Sequence, residues 1–354
     1  MLVLRGFHHP AIAPACALTI GNFDGVHRGH QAMLALLNAE AAQRGVPSCV
    51  LTFEPHPRDY FAAALHKPEL APARVGTLRD KLSELARFGV QQTVVLRFDA
   101  ALAGQTPETF INDVLVRGLG ARYVLVGDDF RFGRQRAGDY RLLAQAGQQR
   151  GFDVARMNSY EITYPQASTN AAEPVRVSSS EVRAALAAGR MDDAAQLLGR
   201  PYAISGHVVH GRKLGRALGE ASSGAGDGFR TLNLRFAHWK PAASGIFAVW
   251  VHGLAAEALP GVANLGIRPS LDPSDVNGGR VLLETHCLEW PQHLGAEGAY
   301  GKIIRVELMH KLHDELRYDS LGALTAGIAR DCADARAWFA AHAETRRQTT
   351  RDRI

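Results

Sequence analysis

The chain has 354 residues, of which 46% are hydrophobic and 21% are charged, and its formal net charge is +5. This composition is typical of globular proteins and excludes a disordered chain, while the length predicts two domains. The charge is modest and forms no basic stripe, which argues against nucleic acid as a partner. No segment approaches 18 uninterrupted apolar residues, so no membrane span is expected.

The first predicted strand leads into a loop of unusual composition. Residues 17–20 predict a buried strand and residues 31–37 a helix. The loop between them contains Gly21, Asn22, Phe23, Asp24, Gly25, His27, Gly29 and His30. Glycines allow close approach to the backbone, and a helix N-terminus attracts phosphate. We expect a phosphate site, with both histidines donating from one helix face; the alternative is a tight turn with two surface histidines.

Strand and helix patterns alternate through the rest of the first half. Strands are predicted at residues 48–53, 93–96 and 123–126, and helices at 29–45, 77–89, 110–116 and 140–150. This alternation predicts a parallel sheet with helices on both faces. Ligands bind such sheets at the carboxyl ends of the strands. Two further polar loops, residues 52–57 and 126–133, are expected there beside the first loop.

A second possible phosphate site lies at residues 177–183. Ser178 and Glu181 have the spacing of a capping box, which predicts the start of a helix. The hydroxyls of Ser178, Ser179 and Ser180 and the guanidinium of Arg183 would then surround a helix N-terminus. Capping and phosphate binding are compatible interpretations of this segment.

From about residue 202 the pattern changes to short alternating strands separated by glycine-rich turns. These strands are predicted at residues 204–209, 231–236, 245–251, 281–287 and 303–308. They indicate a small antiparallel β-barrel, on which a closing helix at 320–342 packs its apolar stripe. The predicted domains are residues 1–199 and 200–343, followed by a disordered tail at 344–354.

The scattered cysteines Cys16, Cys49, Cys287 and Cys332 form no C-x-x-C pair and are expected to be reduced and buried. The N-terminus also lacks the long apolar core of a signal peptide. A cytoplasmic protein is therefore expected.

Four segments of the first half together resemble one family. Residues 21–30 resemble the H-x-G-H motif of a nucleotidyltransferase superfamily, and residues 178–183 are similar to its second signature. Residues 52–57 and 126–133 resemble the flavin-side loops of bacterial bifunctional riboflavin kinase/FMN adenylyltransferases, a likeness that extends from about Leu18 to Phe339. It implies a Rossmann-like nucleotidyltransferase domain that converts FMN and ATP to FAD, with His27, His30 and Arg183 as catalytic residues. The implied flavin contacts are Phe53, His56, Pro57, Asp129, Arg131 and, in the second half, Arg268.

Segments of the second half resemble the family's kinase, which converts riboflavin and ATP to FMN with Mg²⁺. The implied nucleotide loop contains Gly211, Arg212, Lys213 and Gly215. Residues 229–234 resemble the family's G-x-P-T-x-N segment, which implies that Thr231 and Asn233 help to hold magnesium; Asp129 is a further candidate for metal or flavin. The match at residues 283–286 makes Glu284 the catalytic base.

The kinase half departs from the family pattern beside the implied magnesium site. Arg230 stands where the family usually has proline, and residues 220–228 form a Gly/Ser/Ala-rich insertion. His313 stands where the family tends to have arginine.

The leading hypothesis is one cytoplasmic enzyme that makes FMN and then FAD, acting on riboflavin, FMN and ATP as a monomer or weak homo-oligomer, without nucleic acid or membrane. Two alternatives stay open. One is a monofunctional FMN adenylyltransferase whose β domain binds flavin without catalysis, and the departures above are its support. The other is a nucleotidyltransferase for a different acceptor, although such proteins lack the β domain.

Overall fold

The computed structural model describes residues 1–165, 172–210, 230–236, 240–267, 281–295 and 297–342. Among them the chain forms two structural units. The first comprises residues 1–73, 80–165 and 172–179, and the second comprises residues 74–79 together with those from 180 onwards. The predicted domain boundary after residue 199 stays a prediction, and the predicted tail lies outside the described residues.

The first unit is built on a parallel sheet, as predicted. In the described residues its six strands are β1 (Leu2–Arg5), β2 (Cys16–Ile20), β3 (Ser48–Glu54), β4 (Gln92–Arg97), β5 (Ala121–Gly127) and β6 (Asp153–Met157). Their spatial order is β1-β4-β3-β2-β5-β6, and every neighbouring pair is parallel. The strands β3, β2 and β5 are therefore adjacent, and their carboxyl ends lie side by side.

Helices connect these strands. They are α1 (Arg28–Gln43), α2 (Pro57–Ala64), α3 (Leu78–Arg87), α4 (Ala100–Ala103), α5 (Pro107–Thr109) and α6 (Tyr140–Arg150), with short 3₁₀ turns at Pro68–Leu70 and Arg134–Arg136. As predicted, Thr106 caps α5 by accepting a hydrogen bond from the Thr109 N–H at 3.2 Å. The chain then continues as a π-helix over Phe110–Gly118, where an α-helix was expected.

Both faces of the sheet are buried, as expected of a parallel sheet covered by helices. Leu18 of β2 packs with Val114 of the π-helix and Leu143 of α6. The next residue towards the N-terminus, Ala17, faces the other side and packs with Leu34 of α1. Successive strand residues thus belong to different clusters, which confirms the predicted helix–sheet–helix arrangement.

The second unit contains a closed antiparallel barrel, which confirms the predicted all-β domain. Its described strands are β9 (Tyr202–Val209), β10 (Leu232–Arg235), β11 (Gly245–His252), β12 (Leu259–Ile267), β13 (Val281–Cys287) and β14 (Ile303–His313). They follow the order β10-β13-β12-β11-β14-β9, and β9 pairs with β10 to close the ring. In the first unit, β7 (Glu161–Pro165) and β8 (Ala172–Arg176) pair as an antiparallel ribbon. The remaining helices are α7 (Ser179–Ala187), α8 (Met191–Leu198) and α9 (Leu321–Ala341).

The barrel strands alternate between two environments. Leu234, Leu283 and Leu265 are register partners on three neighbouring strands and are fully buried, so they point into the barrel. Residues on the opposite face of the strands include Ile246 and Ala248, which pack with Cys332 and other apolar side chains of α9. The closing helix therefore covers part of the outer surface of the barrel, as its apolar stripe predicted.

An ion pair links the last strand of the barrel to α9. His313 Nε2 lies 2.9 Å from Asp331 Oδ1, and His313 Nδ1 lies 2.7 Å from the Asp314 carbonyl oxygen. Burial alone would lower the His313 pKa, but these two acceptors and the nearby Asp334 outweigh it and raise the pKa above its usual value. The pair is therefore a link whose strength depends on pH.

We expect Asp331→Asn to destabilise the protein more in mild acid than in base. Because the folded-state pKa of His313 is raised, its charge stabilises the fold fully below the usual histidine pKa of about 6.5. That contribution is lost as the pH rises through the folded-state pKa. Melting temperatures measured from below the usual histidine pKa to above the folded-state pKa of His313 should differ most between wild type and variant at the acidic end. Asp319→Asn, an exposed control, should show no such trend.

Candidate active sites

The loop after β2 begins with an unusual backbone. Phe23 has φ 48°, Gly25 has φ 83° and Val26 has φ 41°. A β-branched residue in the left-handed region is strained by roughly 1–3 kcal/mol, and such strain is concentrated at functional sites. Phe23, Asp24 and Val26 are all buried, and their packing holds this conformation.

The two histidines of this loop were expected to share one face of the first helical turn, and in the structure their rings form a stacked pair. Their ring centroids lie 3.6 Å apart with an angle of 17° between the planes. His27 caps α1, because its Nδ1 accepts a hydrogen bond from the His30 N–H at 3.3 Å. An accepting Nδ1 carries no proton, so the N–H of the neutral His27 ring is at Nε2. This N–H can donate to a phosphate oxygen.

His30 is held in the neutral form. Burial lowers its pKa well below the usual value, and the charges of His27 and Lys81 lower it further. Its ring also lies 4.8 Å from the Phe23 ring. A neutral His30 ring avoids repulsion with a protonated His27 and still offers an N–H donor to an anion.

The second predicted phosphate segment is brought against the first within one unit. Ser179, the first residue of α7, donates its hydroxyl hydrogen to the Asp24 carbonyl oxygen at 3.0 Å. Gly29 lies next to the same segment, since a β-carbon on it would be 3.4 Å from the Val177 carbonyl oxygen. The start of α1 and the start of α7 are thus neighbours. Ser178 immediately precedes α7, whereas Ser180 and Arg183 belong to the part of α7 that lies in the second unit.

The other two polar loops contain most of the implied flavin contacts. Phe53 is the last but one residue of β3, and its ring centroid lies 5.7 Å from that of Phe98. Phe98 also packs edge-on against Tyr60 and Phe61 of α2, which gives an aromatic cluster that the sequence did not predict. This edge-on aromatic cluster lies next to the carboxyl ends of β3 and β4.

His56, Pro57, Asp129 and Arg131 occupy different environments. His56 is buried and caps α2 by accepting from the Arg58 N–H at 3.1 Å, and Pro57 opens that helix. Asp129 and Arg131 are exposed in the loop after β5. Arg131 lies 3.6 Å from Asp139, the N-cap of α6. The loop after β3 is therefore fixed by His56 and Pro57, whereas the loop after β5 exposes the charged side chains of Asp129 and Arg131.

A polar row crosses the outer face of the barrel. Glu284 of β13 is the register partner of Asn233 on β10 and of Asn264 on β12. Directly paired residues of antiparallel strands point to the same face, so the carboxylate lies between two amides. Among the described residues, the buried Oδ1 atoms of both asparagines accept no hydrogen bond. Sequence reasoning missed Asn264, although its polar side chain in a strand was a signal.

This row fits a magnesium ion. Mg²⁺ takes oxygen ligands, and the two unpartnered amide oxygens are such donors next to a carboxylate. Thr231 adds a hydroxyl at the edge of β10, where its carbonyl oxygen accepts from Asn233 Nδ2 at 3.4 Å. Within the described residues, no cluster of three or more His, Cys, Asp or Glu side chains forms an alternative metal site.

Arg230 anchors the segment that precedes Thr231. Its Nη1 donates to the Gly295 carbonyl oxygen at 3.3 Å, and its guanidinium carbon lies 5.3 Å from the Trp290 ring centroid. Its own carbonyl oxygen accepts from His286 Nδ1 at 2.9 Å. Burial lowers the pKa of His286, which keeps this ring neutral. Arg230 thus fixes the backbone next to the polar row through its side chain.

We expect Arg230→Ala to raise the KM for magnesium-ATP in riboflavin phosphorylation roughly fivefold or more, because one cation–π contact and one hydrogen bond are lost. FAD formation from supplied FMN should not change. Initial rates of FMN formation at varied magnesium-ATP measure this effect. Arg235→Ala, which removes an exposed arginine from β10, is the control; equal KM values for the two variants would show that the anchor has no role.

Five predicted nucleotide and flavin contacts lie outside the described residues, as does the insertion at 220–228. The five are Gly211, Arg212, Lys213, Gly215 and Arg268. In the described part of the chain, no helix is both long and apolar enough to cross a membrane.

Family comparisons agree with this architecture. Residues 9–171 match the FAD synthetase family model, and residues 198–339 match the riboflavin kinase model. The chain is 42% identical to the bifunctional riboflavin kinase/FMN adenylyltransferase of Escherichia coli strain K12, over 96% of its length and 98% of that protein. The chain belongs to the bifunctional riboflavin kinase/FMN adenylyltransferase family.

A second relative and one solved structure are also similar to this chain. The protein of the same name from Pseudomonas fluorescens is 39% identical over 95% of this chain and 97% of its own length. A crystal structure described as a macrolide-efflux protein from Streptococcus pneumoniae aligns with 96% of this chain and all of that chain, at a TM-score of 0.68 and 22% identity. At that identity the alignment shows a shared fold alone. Both family domains are present, so the chain is an enzyme with riboflavin kinase and FMN adenylyltransferase activities.

Proposed function

We propose that the polar row on the barrel phosphorylates riboflavin and that the histidine loop of the first unit transfers AMP to FMN. The observation that carries the kinase assignment is the position of Glu284 between two asparagines whose oxygens lack partners. The observation that supports the second assignment is the stacked histidine pair at the N-terminus of α1, in which His30 is neutral.

Phosphorylation of riboflavin needs a base. The nucleophile is a primary hydroxyl group, which must lose its proton as its oxygen bonds to the γ-phosphorus of ATP and ADP leaves. Glu284 is the residue proposed to accept this proton. Asn233 and Asn264 are its register partners on the two neighbouring strands, so both side chains lie on the same face as the carboxylate.

Asn233 and Thr231 are proposed to hold magnesium, and Asp129 stays a further candidate in the other unit. When bound, the ion neutralises charge on the phosphates of ATP. Arg230 is proposed to keep Thr231 in place through its contacts with Trp290 and Gly295. The nucleotide contacts proposed for Gly211, Arg212, Lys213 and Gly215 rest on the sequence resemblance.

Adenylylation of FMN needs no base, because its phosphate is already ionised. A phosphate oxygen of FMN bonds to the α-phosphorus of ATP, and pyrophosphate leaves to give FAD. The site must instead stabilise negative charge on the triphosphate. His27 Nε2–H, His30, the Ser178–Ser180 hydroxyls and Arg183 are proposed to do so, together with the backbone of residues 21–29. The aromatic side of the site, with Phe53, would face the flavin ring.

We also propose where the enzyme acts and in which oligomeric state. A cytoplasmic enzyme that acts on free riboflavin, FMN and ATP is supported by four buried cysteines that form no disulfide. A monomer or weak homo-oligomer, with neither nucleic acid nor membrane as partner, fits the modest net charge. Sedimentation velocity at several protein concentrations tests the oligomeric state.

Incubation with riboflavin, ATP and magnesium, followed by separation of the flavins, tests the proposal as a whole. FAD with transient FMN is the expected result. Unchanged riboflavin beside conversion of supplied FMN to FAD would overturn the kinase assignment and favour a β domain that only binds flavin. Omission of magnesium should stop FMN formation.

A further inference from the structure

Lys81 is a buried cation beneath the histidine loop that the reaction described above does not use. It lies on α3, and only 4% of the residue is exposed. Its Nζ donates to Thr52 Oγ1 at 3.3 Å. The Thr52 hydroxyl donates in turn to the Asn22 carbonyl oxygen, also at 3.3 Å. A chain of two hydrogen bonds therefore connects Lys81 to the first turn of the loop.

This burial is unusual for lysine. Lysine is almost never fully buried, because removal of its ammonium group from water is costly. The buried ammonium group belongs to α3 and reaches Thr52 near the end of β3, so it does not belong to the histidine loop itself. The turn that it reaches through Thr52 is the same turn in which Phe23 and Val26 are strained. An external hydrogen bond can help to hold such a turn in place.

The charge of Lys81 also acts on the site. The basic groups that act on His30 are His27 on the same loop and Lys81 on α3. Burial is the main reason why the His30 ring stays neutral, and both of these groups disfavour its protonation further. Lys81 is thus connected to this loop both through hydrogen bonds and through the effect of its charge on His30.

We infer that Lys81 is a positioning residue for adenylyl transfer, which holds the Asn22 turn through Thr52 and keeps the His27–His30 stack in its binding geometry. The inference rests on the proposed function of this loop. The substrate that gains from this geometry is ATP, because the loop is the proposed cradle of its phosphates. Lys81 should therefore affect the KM for ATP more than the affinity for FMN.

Lys81→Met and Thr52→Val separate the two connections. Lys81→Met removes both charge and hydrogen bond and should raise the KM for ATP in FMN adenylylation roughly tenfold, as for one lost charged hydrogen bond. It should also move the NMR titration midpoint of His30 upwards. Thr52→Val breaks only the hydrogen-bond chain, so it should raise the KM for ATP and leave the His30 titration unchanged. Lys81→Arg should restore the His30 midpoint.

Kinase activity and an exposed lysine provide the controls. FMN formation from riboflavin should be unaffected in every variant, and Lys67→Met should behave as wild type. Equal KM values for ATP in Lys81→Met and Lys67→Met would overturn the inference, as would a KM in Thr52→Val that equals the wild-type value if Lys81→Met fails to fold. If His27→Ala loses adenylylation while Lys81→Met keeps the wild-type KM for ATP, only the role of Lys81 is rejected. If His27→Ala keeps full adenylylation activity, the proposed site itself is rejected.

Discussion

Replacement of Glu284 by glutamine is expected to abolish FMN formation from riboflavin. The amide keeps the size of the side chain and its place between Asn233 and Asn264, but it cannot accept the proton of the riboflavin hydroxyl group. Loss of a general base lowers the rate by roughly 10²–10⁴-fold. The rate of FMN formation, with flavins separated by chromatography, measures the effect, and FAD formation from supplied FMN should be retained.

Glu284→Gln has a matched control. Glu289→Gln makes the same chemical change at an exposed position of the same unit and should leave both activities unchanged. A Glu284→Gln variant that still phosphorylates riboflavin at the wild-type rate would show that the base is another residue. Loss of both activities together would contradict two independent sites.

Replacement of His27 by alanine is expected to have the reverse effect. This change removes the Nε2–H donor and the Nδ1 that caps α1 through the His30 N–H. We expect FAD formation from FMN to fall by roughly 10²-fold or more, as when a preorganised donor to a developing charge is lost. FMN formation from riboflavin should continue, so FMN should accumulate in a coupled assay.

His27→Asn separates capping from catalysis. Asparagine is a good N-cap and can accept the His30 N–H, but it lacks the stacked imidazole. If capping were the whole role of His27, the asparagine variant would retain FAD formation and the alanine variant would lose it. His8→Ala, which removes an exposed histidine of the same unit, should leave FAD formation intact.

Much of the fold follows from local patterns in the sequence. Strand β5 and helix α6 were predicted because their apolar residues are regularly spaced, and the structure has α6 at residues 140–150 as predicted. Strands β1, β6, β7, β8 and β12 were not predicted. Two of the four residues of β1 are a nearly half-exposed Leu2 and Val3, so it lacks the alternation of a strand with one buried face. In β12 a proline and two glycines interrupt the pattern, and pairing with β11 and β13 determines its structure.

The candidate sites were predictable where the chemistry lies within one short segment. The proximity of His27 and His30 on one face follows from their spacing, whereas the stacking of their rings was not predicted. Asn264 and Lys81 could not be found in this way, because they reach their sites through strand register and helix packing from distant parts of the chain. The positive φ of Val26 is likewise imposed by burial of the whole loop and not by the residue itself.

The alternation of inward- and outward-facing side chains along β13 determines which mutations this family can accept during evolution. Leu283 faces the interior, Glu284 the polar row and Thr285 the interior again, so fold stability and chemistry are encoded in neighbouring codons. Substitutions can alter one without the other. A single-codon insertion or deletion inside the strand, however, would move Glu284 into the core and turn apolar residues outwards. Length changes in this half of the gene should therefore be confined to its loops.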